Sequence, residues 1–137
     1  MKELKPLLSK AREALKNAYA PYSHYQVGAA VLTQSGKIFS GCNIENASYG
    51  LTICAERTAL SNAISQGYCK FKAIAIVSNG SVPYPCGACL QVMAEFVPNL
   101  TLIISGKKTK PIVTKLKRLL PKAFNSHVRP DKKRTKY

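Results

Sequence analysis

Short apolar runs of strand length alternate with segments of helical period, and this alternation constrains the fold more than any other feature of the sequence. Residues 71–78 and 100–105 are the two clearest runs, because most of their positions are apolar. Residues 54–66 and 88–96, one before each run, instead repeat their apolar side chains with the period of a helix. Strands that alternate with helices in this way are typical of an α/β fold, in which helices cover the faces of a sheet.

The flanking segments extend this pattern in both directions. Apolar residues at helical spacing predict an amphipathic helix over residues 3–19, ended by Pro21. Residues 26–33 and 37–42 then predict a hairpin with Gly36 in its turn. The C-terminal elements are a fifth strand around Ile112 and Val113 and a short helix over residues 115–120. The complete pattern predicts a three-layer α/β/α sandwich with a mixed, about five-stranded sheet.

Cysteines stand at the start of two of the predicted helices. Cys54 opens one helix, and the pair Cys86 and Cys89 opens the next. A helix N-terminus favours a thiolate through its free N–H groups and its dipole, and the thiolate is the form that binds zinc. A Cys-x-x-Cys pair with a third cysteine 32 residues upstream therefore indicates a site for one zinc ion per chain.

Glu56 decides which kind of zinc site this pattern favours. Three thiolates leave the fourth tetrahedral position open for water, and an open position distinguishes a catalytic zinc from a structural one. Glu56, two residues after its cysteine, is placed to shuttle protons at that position without being a ligand. The alternative is a closed structural site with His24, Cys42 or Cys69 as the fourth ligand. That alternative is weaker, because it leaves Glu56 with no task beside the metal.

The length of the chain indicates a single domain, and its composition indicates a protein of a reducing compartment. A chain of 137 residues is long enough for one domain with its own core and too short for two. Residues 1–6 carry charges where a signal peptide needs an apolar stretch, and no apolar run approaches the roughly 20 residues of a membrane span. We therefore expect a cytoplasmic protein with no membrane contact. The five cysteines are then interpreted as ligands or buried thiols rather than as disulfides.

Positive charge is concentrated at the C-terminal end. Residues 105–137 contain twelve lysines and arginines against Asp131 alone, which supplies most of the net charge of +15. We interpret residues 1–125 as the folded domain and residues 126–137 as a basic tail that is solvated and partly disordered. Such a tail attracts polyanions without sequence preference, so weak non-specific nucleic-acid binding is a secondary expectation.

Five segments share their order and spacing with one known family. They are residues 20–30, 41–49, 54–59, 85–89 and 119–124. The motifs Cys54-Ala55-Glu56-Arg57 and Pro85-Cys86-Gly87-Ala88-Cys89 carry most of the match. The sequence thus resembles the cytidine deaminase family, specifically its small homotetrameric branch with three cysteine zinc ligands. The resemblance implies the cytidine deaminase-like fold and the zinc-dependent hydrolytic deamination of cytidine and deoxycytidine to uridine and deoxyuridine, a reaction of pyrimidine salvage.

The resemblance also implies roles for residues that spacing alone does not single out. Arg57 fits a position beside the zinc thiolates, and Asn43 and Glu45 match residues that bind the ribose hydroxyls. Tyr25 stands where the family usually has Phe packed against the ligand, and its added hydroxyl needs a partner if buried. The remaining substrate-binding matches are Ala47 and Tyr49, which close the pocket, Ala55, which holds the base edge, and Phe124, which stacks on the pyrimidine. Because the family completes each site from neighbouring subunits, the resemblance implies a homotetramer with shared active sites.

Two other functions stay open. The first is deamination of another cytosine compound, such as a nucleoside antibiotic, a nucleotide or a polynucleotide. A polynucleotide deaminase usually carries histidine where this chain has Cys54, which argues against the last of these. The second is a basic nucleic-acid-binding protein built on a zinc-stabilised deaminase fold. Only Phe124 and Tyr137 offer aromatic rings for stacking near the basic end, so this function has little support from the sequence.

Overall fold

The computed structural model describes residues 2–125, and its elements follow the predicted alternation of strands and helices. Each predicted strand is present within one or two residues of its expected bounds. The elements are α1 (Leu4–Leu15), β1 (Val27–Thr33), β2 (Ile38–Cys42), α2 (Ala55–Ser65), β3 (Phe71–Ser78), α3 (Gly87–Phe96), β4 (Thr101–Ser105), β5 (Ile112–Lys115) and α4 (Leu116–Leu119), with a 3-10 turn at Tyr49–Leu51.

The five strands form one mixed sheet in the order β2-β1-β3-β4-β5, as predicted. β1 pairs antiparallel with both β2 and β3, β3 and β4 run parallel, and β4 pairs antiparallel with β5. Because β1 runs against its two neighbours, its first residue meets their last residues at the same end of the sheet. Val27, Cys42 and Ser78 therefore stand together, and we call this end of the sheet the site edge.

Helices cover both faces of the sheet, which confirms the predicted three-layer arrangement. Alternate residues of β1 serve the two faces, as the pleat of a strand requires. Ala30 and Leu32 belong to the core beneath α1, whereas Ala29 and Val31 belong to the core beneath α2 and α3. A strand buried on both faces reads as a continuous apolar run, which is why β1 and β3 are recognisable in the sequence.

Two glycines let the helices approach the sheet closely. A Cβ atom at Gly28 would lie 2.0 Å from the carbonyl oxygen of Ala11 in α1, and one at Gly41 would lie 2.4 Å from the backbone nitrogen of Ala59 in α2. Both neighbours are backbone atoms, so no side-chain rotation could make room for a larger residue. The two glycines thus set the spacing of both helical layers from the hairpin β1–β2.

The N-terminal helix is shorter than predicted, because it ends at Leu15 rather than at residue 19. The N–H of Tyr19 donates to the Asn43 carbonyl oxygen at 3.0 Å, and the N–H of Glu45 donates to the Tyr19 carbonyl oxygen at 2.8 Å. Backbone pairing with the segment after β2 therefore replaces the last helical turn. Ala18 continues the helical spacing of the apolar residues, so the sequence pattern alone does not reveal this ending.

The C-terminal part of the prediction extends beyond the structure. The basic tail, residues 126–137, lies outside the described residues, so the predicted domain boundary at residue 125 stays a prediction. Over residues 2–125, no helix has both the length and the apolar character that crossing a membrane requires.

Candidate active site

Three cysteine sulfur atoms lie together at the site edge. Cys54 is the N-cap residue of α2, Cys86 is the N-cap residue of α3, and Cys89 lies in the first turn of α3. The Sγ atom of Cys86 is 4.0 Å from that of Cys54 and 3.5 Å from that of Cys89, and all three lie within 4.8 Å of one another. Two helix N-termini thus bring three thiols to one point.

The three thiols do not hold their protons equally. A hydrogen bond from the Cys89 thiol, assisted by one from the Arg57 guanidinium, lowers the pKa of Cys54 to about 5. The same bond to Cys54, together with burial, raises the pKa of Cys89. The lowered pKa favours the thiolate form of Cys54, and a cation bound among the three sulfur atoms would displace the proton of the fully buried Cys89.

The spacing of the sulfur atoms fits zinc. A Zn–S bond of about 2.3 Å places two tetrahedral sulfur ligands about 3.8 Å apart. The observed separations of 3.5 and 4.0 Å lie on either side of that value. Within residues 2–125, no other His, Cys, Asp or Glu joins the three cysteines. A closed site completed by His24, Cys42 or Cys69 is therefore not formed by the described part of the chain.

Arg57 places a positive charge beside the cysteines. Its Nη2 atom donates to the Sγ atom of Cys54 at 3.7 Å, and this bond raises the pKa of the guanidinium above its usual value. Its Nε atom is buried and has no hydrogen-bond partner within the described residues. A permanent cation at this position offsets part of the negative charge that three thiolates would concentrate around a metal.

Glu56 follows Cys54 in the first turn of α2, and its side chain is only 5% exposed. Burial raises the pKa of its carboxyl group above the usual value. The group therefore accepts a proton more readily than an exposed glutamate does, which suits a residue that takes up and returns protons. Glu56 lines the same cavity as Cys54 and Cys86, so such transfers would occur beside the cysteine cluster.

A cavity of about 430 Å³ opens over the cysteines. Tyr25, Asn43 and Ala55 line it together with Glu56, and this size is typical of small-molecule sites. A second cavity of about 350 Å³ adjoins the first through Thr52, which lines both. Of the residues predicted to bind substrate, Glu45 and Tyr49 line this second cavity.

The side chains of Asn43 and Glu45 are held by the backbone around them. The Oδ1 atom of Asn43 accepts from the Val27 N–H at 2.9 Å, and its Nδ2 atom donates to the Tyr25 carbonyl oxygen at 2.8 Å. Glu45 accepts from the N–H groups of Tyr22 and Ser23 at 3.0 and 3.1 Å. The Ser23 hydroxyl also bonds to Glu45 and lowers the pKa of its carboxyl group, which keeps it ionised. Both side chains are thus fixed, and each retains unused hydrogen-bonding capacity.

Two residues predicted to contact substrate lie outside both cavities. Ala47 is exposed in the loop after β2, and Phe124 is 80% exposed. The Nε2 atom of Gln91 donates to the Phe124 carbonyl oxygen at 2.8 Å, which ties the backbone of this residue to α3 while its ring faces outward. Tyr49 lines the second cavity but is 74% exposed.

Several lining residues were not identified from the sequence. They are Thr52, Ser81, Val82, Pro83 and Tyr84. Each precedes Cys54 or Cys86 by five residues or fewer, and this spacing is the one signal of their position that the sequence carries. Loop residues next to a metal ligand are often drawn into its cavity, because the scaffold places functional groups on loops.

Comparisons with known proteins agree with this geometry. Residues 1–104 match the family model described as the cytidine and deoxycytidylate deaminase zinc-binding region. A cytidine deaminase of Halalkalibacterium halodurans is 50% identical over 88% of this chain and 92% of the relative. A cytidine deaminase structure from Burkholderia pseudomallei superposes with a TM-score of 0.84 at 48% identity, covering 88% of this chain and 98% of that one.

A more distant relative has a different name. A Blasticidin-S deaminase of Bacillus cereus is 31% identical over 80% of this chain and 86% of the relative. The higher identities to proteins named cytidine deaminase extend over most of the chain, and the fold, the cysteine cluster and the family model agree with them. The chain belongs to the cytidine deaminase family.

Proposed function

We propose that this protein is a zinc-dependent hydrolase that converts cytidine and deoxycytidine to uridine and deoxyuridine with release of ammonia. The observation that carries the proposal is the cavity in which Cys54, Cys86 and the buried Glu56 meet. Membership of the family and the names of the relatives support the same reaction. The base of a nucleoside fits the first cavity, and the adjoining second cavity offers room for its sugar.

In this proposal, Cys54, Cys86 and Cys89 hold one zinc ion per chain. Zinc bound there supplies a Lewis acid that makes a water molecule acidic enough to act as a nucleophile at neutral pH. Arg57 stays hydrogen-bonded to Cys54 and limits the build-up of negative charge at the sulfur atoms.

Glu56 carries the protons of the reaction. Its carboxylate takes a proton from the attacking water and delivers it to N3 of the cytosine ring while the water oxygen bonds to C4. It then takes the second proton from the hydroxyl group now on C4 and transfers it to the exocyclic amino group, which leaves as ammonia while the C4–O bond becomes a carbonyl. Burial, which raises the pKa of Glu56, favours the protonated form that exists in each transfer between uptake of the proton and its delivery.

The substrate is held by groups from several loops. The backbone around Ala55 and Cys86 contacts the edge of the base, and the ring of Tyr25 packs beside it in the same cavity. The ribose hydroxyls bind to Asn43 and Glu45, using the hydrogen-bonding capacity that their backbone partners leave unused. Tyr49 lines the second cavity and closes the sugar end of the pocket, and Ala47, which lies outside the cavities of the single chain, joins it in the homotetramer proposed below.

A substrate panel tests the proposal against its main alternative. Cytidine and deoxycytidine should be turned over with the largest kcat/KM values, whereas free cytosine, which lacks the sugar, should be a poor substrate. Blasticidin S is the alternative substrate to compare with cytidine, because one relative is named Blasticidin-S deaminase. A kcat/KM for Blasticidin S far above that for cytidine would replace the proposed substrate with a nucleoside antibiotic.

We also propose a homotetramer in which neighbouring subunits complete each site. Tyr22 and Tyr49, which line the second cavity, are 47 and 74% exposed, and Leu51 and Ile53, which flank its lining residue Thr52 in the sequence, are 67 and 42% exposed. An apolar group of this kind is typical of a protein interface. The outward-facing ring of Phe124 supports the same conclusion, because it can stack on a pyrimidine only in another subunit's cavity.

Mixing two inactive variants tests the shared site. Glu56→Gln and Phe124→Ala should each lose most activity, and co-expression should produce mixed tetramers. If the ring of Phe124 completes the site of a neighbouring subunit, random mixing gives about a quarter of the sites both an intact Glu56 and an intact Phe124. The mixed tetramers should then have about a quarter of the activity of the unaltered protein. If each Phe124 serves its own chain, no mixed site is intact, and activity stays at the level of the separate variants. Sedimentation should show about four chains of 15.0 kDa per particle.

The remaining proposals concern the setting of the enzyme. We propose a cytoplasmic role in pyrimidine salvage, which the expected reaction and the reducing environment needed by three free thiols support. The tail of residues 126–137 carries five lysines and arginines against Asp131, a charge that supports weak binding of nucleic acid as an added property rather than as the main function.

A further inference from the structure

We infer that the Tyr25 hydroxyl positions one wall of the active site, by holding the loop of residues 79–85 between β3 and Cys86. A phenylalanine at this position would keep the ring but lack the hydroxyl. The kinetic part of the inference rests on the proposed function, whereas its structural part does not.

One backbone carbonyl group is the centre of the arrangement. The Tyr25 hydroxyl donates to the carbonyl oxygen of Ser81 at 2.8 Å, and the Ser78 hydroxyl donates to the same oxygen. A carbonyl oxygen has two lone pairs, so these two donors satisfy it completely. Tyr25 and Ser81 both line the first cavity, which places this hydrogen bond in the wall of the active site.

The loop is also supported from behind. The N–H of Lys107 donates to the Gly80 carbonyl oxygen at 3.0 Å. A Cβ atom at Gly106 would lie 2.8 Å from that same oxygen, so the turn after β4 packs tightly against the loop. On the cavity side, a Cβ atom at Gly80 would lie 3.4 Å from the Tyr25 ring. The loop is therefore enclosed between Tyr25 in front and the turn at Gly106 behind.

Tyr25 itself is held on both sides by Asn79, the first residue of the loop. The Oδ1 atom of Asn79 accepts from the Gln26 N–H at 3.0 Å, and its Nδ2 atom donates to the His24 carbonyl oxygen at 3.1 Å. His24 has a φ of 57°, a left-handed conformation that a residue other than glycine rarely adopts. The tyrosine and the loop thus fix each other before any substrate binds.

The expected consequence concerns binding more than chemistry. Val82, Pro83 and Tyr84 follow Ser81 and line the cavity, so their positions depend on how firmly the loop is held. Glu56 lies in α2 and Cys54 is the N-cap residue of that helix, so neither residue belongs to the loop. Without the hydroxyl, part of the substrate's binding free energy is used to order the loop. KM therefore rises while kcat stays nearly constant.

Tyr25→Phe tests the inference, because it removes the hydroxyl and keeps the ring. Losing one hydrogen bond should raise the KM for cytidine about fivefold, with kcat changed by less than about twofold. In the zinc-loaded protein without substrate, backbone amides of residues 79–85 should exchange hydrogen faster, and the zinc content should not change. Tyr19→Phe is the matched control, because the hydroxyl of this exposed tyrosine has no hydrogen-bond partner in the described part of the chain.

Ser78→Ala completes the test as a double-mutant cycle. Each single variant leaves one donor on the Ser81 carbonyl oxygen, so removing both donors should accelerate exchange by more than the product of the single effects. Unchanged exchange in Tyr25→Phe, or a fall in kcat at constant KM, would overturn the inference. If the unaltered protein does not deaminate cytidine, the proposed function fails, while hydrogen exchange still decides whether the hydroxyl holds the loop.

Discussion

Replacing Glu56 with glutamine is expected to reduce kcat on cytidine by about 100- to 10,000-fold while the protein keeps its zinc. The amide has nearly the shape of the carboxyl group, so the cavity and the three cysteines should be unchanged. It cannot accept and return a proton, and in the proposed mechanism both proton transfers pass through this one side chain. The measurement is steady-state turnover beside metal analysis of the same preparation.

Glu95→Gln is the matched control for this substitution. Glu95 is exposed on α3, and its replacement should leave turnover and zinc content unchanged. Near-normal turnover by Glu56→Gln would remove Glu56 from the chemistry. Loss of zinc from Glu56→Gln would instead make Glu56 part of the metal site, which the described geometry does not include.

Replacing Cys89 with alanine is expected to weaken zinc binding by more than about 100-fold and to abolish deamination. Cys89 is fully buried between the sulfur atom of Cys86 and the core, so no exposed group can take its place. Two thiolates remain, and they do not define the position of a tetrahedral ion. Because metal binding is coupled to folding, the variant should also have a lower Tm than the zinc-loaded parent.

Cys69→Ala is the matched control for Cys89→Ala, because it removes a cysteine that is not expected to bind zinc. Cys69 is a free cysteine that does not belong to the sulfur cluster, so this variant should keep its zinc and its turnover. Metal analysis after dialysis against a weak chelator compares the two variants directly. A Cys89→Ala protein that retains the parent's zinc would refute the three-cysteine site.

Most of the fold could be predicted because its three central strands, β1, β3 and β4, are buried on both faces. β3 was predicted over residues 71–78 and is observed at Phe71–Ser78, because the apolar run that forms the strand begins and ends at these residues. The helix predicted from Cys54 to residue 66 is observed at Ala55–Ser65, with Gly67 at a φ of 94° just after it. Local sequence determines such features, because both the apolar period and the glycine act within a few residues.

The remaining features depend on contacts between distant parts of the chain. The early end of α1 is caused by pairing between Tyr19 and the segment after β2, which no local pattern encodes. The same holds for the two donors on the Ser81 carbonyl oxygen, which come from Tyr25 and Ser78. The position of Phe124 depends on another subunit in our proposal, so one sequence can indicate it only through resemblance to a family.

Turnover of cytidine by the purified protein, measured together with its zinc content, shows whether the chain is a zinc-dependent cytidine deaminase. Conversion to uridine is followed by its ultraviolet absorbance change, and zinc is measured by elemental analysis of the same sample. We expect multiple turnovers per active site at about one zinc per chain, with activity lost on chelation and restored by added zinc. A folded, zinc-loaded protein that converts neither cytidine nor deoxycytidine would contradict this expectation.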